Sequence, residues 1–268
     1  MKVRGKVILV TGAGSGIGRE LTLQLLAAGT RVAGVDINPA SLAETGNLAG
    51  ALGGGFASFQ ASVTDLEAVQ KLPESVIQHF GSVDGIINNA GIVQPFVRLN
   101  DLDYATIDRV LNVNLLGAVY VTKAFLPYLM LRPEAHIANL SSMGGFVPVP
   151  GQTIYCAAKA AVKLMTEGLA SELMGTSVKV SVVCPGAVAT NILENSGVAG
   201  PSMKAGESSS LKPLSSKEAA SIIIRGIERD LFHIFVGKDA AFVDKLYRLS
   251  PSFAARTIAK KMASLLPS

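Results

Sequence analysis

The 268-residue chain has no tryptophan and only two cysteines, Cys156 and Cys184, which belong to no C-x-x-C or ligand-like cluster. Its three histidines, His79, His136 and His233, are isolated from one another. A protein-held zinc takes about four such ligands at short spacings, so no metal centre is expected. Long apolar runs are missing too. The first, within MKVRGKVILVTGAG, ends after Val7–Val10, too short for a signal peptide. No later stretch approaches the length of a membrane-spanning helix. These absences make a reduced, cytoplasmic protein the expectation. A charge of one sign is also lacking: 24 basic residues face 20 acidic ones, for a net +4. The basic residues are scattered except towards the C-terminus, and none of their runs is interleaved with aromatics, so no nucleic-acid partner is expected. The mild positive balance suits an anionic small molecule. No G-x-S-x-G elbow is present, which sets aside a serine hydrolase.

What is present is apolar mass (49% hydrophobic, 27 glycines) with a mean hydropathy of +0.41. That suits one large domain over residues 1–268 with an extensive core. β-Branched runs alternate with helical patterns, the mark of βαβ units and a parallel sheet. Strands are expected at 6–11, 31–36, 56–61, 83–91, 135–142, 178–186 and 232–237. Helices are expected at 17–29, from Pro39, at 65–80 despite Pro73, over most of 102–131, and at 153–174. No internal repeat or interdomain linker interrupts them. The Gly-, Ser- and Pro-rich stretch 195–216 reads as a lid or binding loop, part of a lid over about 191–216.

Two local patterns carry chemistry. TGAGSGIG (11–18) lies between the first strand and the first helix. Glycines there let the backbone turn sharply and approach a pyrophosphate, which then sits on the free N–H groups of the helix start. Asp36 ends the second strand, where a carboxylate accepts hydrogen bonds from adenosine ribose hydroxyls. It would repel a 2′-phosphate, and Ile37, Asn38 and the loop's Ser15 provide no compensating charge, so NAD is expected rather than NADP. The second pattern is IYCAAK (154–159). Tyr155 and Lys159 share a helix face one turn apart. An ammonium about 4 Å from a phenol oxygen, at an effective dielectric near 20, favours the phenolate by roughly 4 kcal/mol. That is about three pKa units, enough to bring a tyrosine from about 10 towards 7.

Together these motifs resemble the short-chain dehydrogenase/reductase family, closely over about residues 5–190. TGAGSGIG, NNAG (88–91), a serine 13 residues before the tyrosine of YCAAK, and PGAVAT (185–190) carry the resemblance. It implies an α/β Rossmann-type fold, a doubly wound parallel sheet of about seven strands with helices on both faces. It implies Tyr155 as acid/base, Lys159 lowering its pKa and bonding the nicotinamide ribose, and Ser142, rather than Ser141, bonding the substrate oxygen. Asn114 of NVNLLG would hold a water linking Lys159 to solvent. The cofactor contacts implied are Gly12, Ser15, Gly16, Ile17, Gly18, Asp36, Ser62, Val63, Asn89, Gly91, Tyr155, Lys159, Pro185, Gly186, Val188 and Thr190. Ser62 stands where many members carry an adenine-binding aspartate, with Asp65 further along. Tyr155 and Ser142 would also hold the substrate.

The substrate side is apolar in GIVQPFV (91–97), GGFVPVPGQ (144–152) and the lid residues Ile192, Leu193, Val198 and Met203. An apolar secondary alcohol or ketone of steroid, acyl or alicyclic type is therefore expected, and no arginine is evidently placed to clamp a carboxylate. The alternative is a non-catalytic dinucleotide-sensing or scaffold protein, which would be expected to lose the tyrosine or the lysine. A homo-oligomer, dimer or tetramer, is expected. The helical tail, about 239–268, is read as packing on its own chain or a neighbouring subunit. Peripheral membrane contact through its basic amphipathic end is the lesser reading.

Overall fold

The computed structural model describes residues 1–198, 213–263 and 266. Its centre is a sheet of seven parallel strands in the order β3-β2-β1-β4-β5-β6-β9. These are β1 (Val7–Thr11), β2 (Arg31–Asp36), β3 (Phe56–Gln60), β4 (Gly85–Asn88), β5 (Ala135–Leu140), β6 (Val178–Pro185) and β9 (His233–Val236). The pairing is in register throughout, for example Ile8 with Val32 on one side and Gly85 on the other. Every residue of β1, β4 and β5 is buried, as a parallel sheet covered on both faces requires.

One face is covered by α1 (Gly16–Ala27), α2 (Pro39–Ala49) and α8 (Ser216–Glu228), through Leu21, Leu25, Leu42, Ile223 and Ile227. The other carries α3 (Leu66–Phe80), α5 (Gly117–Met130) and α6 (Thr153–Glu172), through Val69, Val76, Val121, Phe125 and Leu169. Pro73 sits inside α3, which Asp65 caps by accepting the Ala68 N–H at 3.1 Å and which ends at Gly81 in the left-handed region (φ 82°).

The structure amends several expected boundaries. The fourth strand stops at Asn88, because the next two N–H groups, of Asn89 and Ala90, both go to Thr11 Oγ1 at 3.0 Å. The 102–131 segment is α4 (Tyr104–Leu111), a π-helical turn (Asn112–Leu116) and then α5. Among the described residues, Tyr104–Met130 is also the one helical run long and apolar enough to cross a membrane. Here its inner side, Val121, Phe125 and Leu129, is fully buried against the sheet. Of the expected lid, residues 199–212 lie outside the described residues; its ends hold α7 (Ile192–Ser196) and β8 (Leu214–Ser215), which pairs with β7 (Val188–Ala189) just before it. The tail forms α9 (Lys238–Leu249) and α10 (Pro251–Lys261). It buries Ala240, Val243 and Ala254 but leaves Phe242, Leu249 and Phe253 exposed.

Strand order reverses at β1, between β2 and β4. In such sheets the crevice beyond the carboxyl ends of the strands at that point is the ligand site.

Candidate active site

The loop after β1 is shaped by close approach. Gly12 adopts φ +67°, and a Cβ on Gly18 would lie 1.9 Å from the Gly12 carbonyl oxygen, so the start of α1 rests directly on the loop backbone. Asn89 braces the same turn, its Nδ2 donating to Thr11 O at 2.9 Å and Gly12 O at 3.3 Å. Ser15 precedes α1 without capping it, and the N–H groups of Gly16, Ile17 and Gly18 make no hydrogen bond among the described residues. Free N–H groups at a helix start form an anion cradle, so the loop fits a pyrophosphate.

Asp36 stands beside the loop. Its Oδ2 accepts the Gly14 N–H at 2.9 Å and Oδ1 the Asn38 N–H at 3.0 Å, which leaves lone pairs for ribose hydroxyls. Arg19 is nearby, but its guanidinium is engaged by Gly14 O, Thr45 and Glu44 and does not line the cleft. Ser62 bonds to Thr64 Oγ1 at 2.8 Å and lines the cleft with Val63, whereas Asp65 is committed to capping α3.

At the other end of the cleft, α6 presents Tyr155 and Lys159. Lys159 Nζ donates to Leu140 O at 2.9 Å and lies 5.9 Å from the centre of the Tyr155 ring. Burial pushes the Lys159 ammonium down to about 8. Burial also pushes the Tyr155 phenol up, against the opposing pull of its hydrogen bond with Ser142. The lowered tyrosine expected from the four-residue spacing is therefore not a property of the protein alone. Both groups are desolvated, and desolvation disfavours phenolate and ammonium alike.

Ser142 Oγ accepts the Gly144 N–H at 3.0 Å and faces Tyr155. Its neighbour Ser141 is buried and donates to Lys159 O at 2.7 Å, holding the α6 backbone. Asn114 sits in the π-helical turn, a distortion frequent at functional sites. Its Nδ2 donates to Ile92 O (2.9 Å) and Val110 O (3.0 Å), and its Oδ1 accepts the Ile92 N–H (3.1 Å). The side chain thus does not line the cleft. It fixes the chain at Gly91, where an added Cβ would lie 2.8 Å from Asn114 Oδ1 and 3.3 Å from Lys159 Nζ.

Pro185, Gly186, Val188 and Thr190 form the remaining wall of a cleft of about 520 Å³, within the range of ligand sites. Gly186 is pressed against the Asp239 carboxylate at the start of α9, whose Oδ2 accepts the Ala187 N–H at 2.9 Å. The helix α7 is tied across the opening. Ser196 Oγ accepts the Val93 N–H at 3.0 Å, Arg109 donates to Ser196 O at 3.2 Å, and Asn195 Nδ2 reaches Ser15 Oγ at 2.7 Å.

Most of the residues expected from the sequence therefore line one cleft, Gly18 and Asn114 lying behind it. The substrate-side expectation needs more correction. Gly91, Ile92, Val93 and Ile192 line the cleft, but residues 94–97 and 144–152 do not, and neither do Leu193 and Val198. Among them Gln94 and Gln152 are buried, and the Gln152 amide donates to Gln94 O at 2.7 Å. Met203 lies outside the described residues. Arg109, Asn195 and Asp239 were missed by sequence reasoning, since each acts through partners distant in the chain. Arg109 lines the cleft, yet it is held to the lid backbone.

A phosphate cradle and a Tyr–Ser–Lys cluster on one doubly wound sheet define a nucleotide-dependent class of protein. The short chain dehydrogenase family model matches residues 6–199. The SadH protein of Mycobacterium tuberculosis is 37% identical over 274 aligned residues, covering 98% of this chain and 97% of its own. A 1-deoxy-11-beta-hydroxypentalenate dehydrogenase of Streptomyces exfoliatus is 31% identical, covering 90% and 86%. A short chain dehydrogenase/reductase from Burkholderia phymatum, solved in complex with NAD, superposes with a TM-score of 0.84 at 25% identity, covering 94% and 96%. The chain belongs to the short-chain dehydrogenase/reductase family of oxidoreductases, which use a nicotinamide cofactor.

Proposed function

We propose that the protein transfers a hydride between NAD(H) and an apolar secondary alcohol or ketone of steroid, acyl or alicyclic type, with Tyr155 as acid/base. One observation carries the reading: a single cleft runs from the free N–H groups of α1 to Ser142, Tyr155 and Lys159, which all line it. When bound, the nicotinamide is the hydride donor or acceptor. Tyr155 Oη gives or takes the proton of the substrate hydroxyl, and Ser142 Oγ bonds the same oxygen as charge develops on it. Lys159 gives one ammonium proton to Leu140 O and keeps two for the tyrosine and a ribose hydroxyl. Its charge opposes the burial that holds the phenol protonated.

The preference for NAD rests on the Asp36 carboxylate and on the engagement of Arg19 with the loop and Glu44. A neighbour's complex with NAD supports it. The apolar substrate rests on Ile92, Val93, Val113 and Ile192 along the cleft. A relative named for dehydrogenation of a hydroxypentalenate supports a hydroxyl as the reacting group. The partner is thus a small molecule. A homo-oligomer, dimer or tetramer, accords with the exposed Ala157, Ala160 and Leu164 on the outer face of α6, and the working location is the cytoplasm. The test is NADH production, followed by absorbance, across secondary alcohols including steroids and 3-hydroxyacyl thioesters. Turnover of at least one apolar alcohol with NAD is expected. Turnover of none, in either direction, would remove the assignment.

A further inference from the structure

The helix that carries Tyr155 does not cap itself. Gln152 precedes α6 and makes no side-chain bond to its first turn, where helices leave N–H groups in need of acceptors. The acceptor comes from a segment some 60 residues earlier in the chain. Gln94 is fully buried, and its Oε1 accepts the N–H of Ile154 at 2.9 Å and of Tyr155 itself at 3.0 Å. Its Nε2 donates to Gly151 O at 3.1 Å, and its own carbonyl accepts Gln152 Nε2 at 2.7 Å. One amide therefore bridges the residue before Gln152 and the first turn of α6. By contrast Gln152 Oε1 is buried with no partner among the described residues, so the specific element of this junction is Gln94.

The segment that delivers Gln94 also touches the other members of the cluster. Gly91, three residues earlier, lies against Asn114 and Lys159, and Ile92 is bonded to Asn114 through both its N–H and its carbonyl. Residues 91–94 thus connect the π-helical turn, the lysine and the tyrosine backbone in one stretch.

We infer that Gln94 is a positioning residue: by capping α6 from outside, it fixes where Tyr155 Oη stands relative to Ser142 and the substrate oxygen. The inference rests on the acid/base reading of Tyr155 given above. A helix start freed of these bonds shifts and frays, and a misplacement near 1 Å at a reacting group lowers turnover by about 10²-fold.

Two substitutions test this in the full-length protein. Gln94→Met keeps the length and removes both polar atoms, whereas Gln94→Glu keeps acceptor oxygens for the two N–H groups. For Gln94→Met, kcat is expected to fall by about 10²-fold, with KM for the nicotinamide cofactor changed little. Hydrogen exchange of peptides spanning 150–158, read without any ligand, should accelerate. For Gln94→Glu, exchange should stay near that of the wild type and most of kcat should return. Its kcat–pH profile should move to the alkaline side, because a carboxylate beside Tyr155 disfavours the phenolate. A Gln94→Met loss below about tenfold overturns the inference. So does a Gln94→Glu protein as slow as Gln94→Met with an unmoved profile. If Gln94→Met fails to fold, the Gln94→Glu profile decides alone, and an unmoved profile counts against the inference. A wild-type protein inactive on every alcohol and ketone removes the acid/base reading instead. Exchange over 150–158 then decides whether Gln94 holds the helix start, and unchanged exchange in Gln94→Met overturns that as well.

Discussion

Replacing Lys159 with methionine should separate stability from activity, with a pH signature that follows from burial. The unfolded chain holds the Lys159 proton up to its ordinary 10.5, whereas the folded protein releases it at about 8. At about 1.4 kcal/mol for each tenfold in proton affinity, the folded state bears a cost of roughly 3 kcal/mol. The sign follows from proton counts. Below pH 8 both states hold the proton and the full cost applies. Between 8 and 10.5 the unfolded state binds more protons, so wild-type stability rises with pH, and above 10.5 the cost is gone. Methionine fills similar space without this dependence. It also leaves Leu140 O without its donor, a loss of about 1–3 kcal/mol that does not vary with pH. The stability of Lys159→Met relative to wild type should therefore drop by roughly 3 kcal/mol between pH 7 and pH 10.5, or roughly 6–12 °C in relative Tm. Thermal melts followed by circular dichroism at fixed protein concentration measure it, since the expected oligomer makes Tm concentration-dependent. A relative Tm that is flat over this range would refute the burial of a charged Lys159. Turnover should be lost at every pH.

Three further outcomes follow from the cleft. Asp36→Ala should weaken NAD binding and narrow the gap to NADP in paired titrations, and equal or better use of NADP by the wild type would overturn the cofactor preference. Gly18→Ala should abolish measurable binding of NADH by fluorescence, because its Cβ would fall 1.9 Å from a backbone oxygen that cannot retreat without moving the cradle; retained binding would contradict the packing of α1 on the loop. Deleting residues 251–268 should lower Tm or change oligomeric size while sparing NADH binding. Salt-sensitive binding of the full chain to anionic liposomes, lost on this truncation, would instead assign the tail to a membrane surface.

What was legible in the sequence is what short-range rules determine. The glycines of 11–18 lie between a strand and a helix, Asp36 ends a strand, and the Tyr155–Lys159 spacing is one helical turn, so each could be placed without the fold. The alternating strand and helix patterns gave the seven-stranded sheet for the same reason. The helix α8 is not among the expected elements, because it follows directly on a Gly- and Ser-rich stretch, although Ser215 and Glu218 form a capping box at its start. Spacing also identified the Tyr–Lys pair without its environment. Proximity argued for a lowered phenol, but only the structure contains the burial that opposes it. Gln94, Arg109 and Asp239 were not legible as site residues, since the partners that hold them here lie 52 or more positions away and no local pattern links them. Asn114 was legible by its motif, but not the engagement of its side chain with Ile92 and Val110.

The central claim is that the Tyr155 hydroxyl, not its ring, performs the chemistry. It is tested most directly by measuring kcat and NADH affinity side by side for Tyr155→Phe. Phenylalanine keeps the ring in place on α6 and removes only Oη. Turnover should fall by about 10²–10⁴-fold, while the Kd for NADH stays within a few-fold of the wild type. A variant that keeps more than about a tenth of the wild-type rate would contradict the assignment of Tyr155 as acid/base.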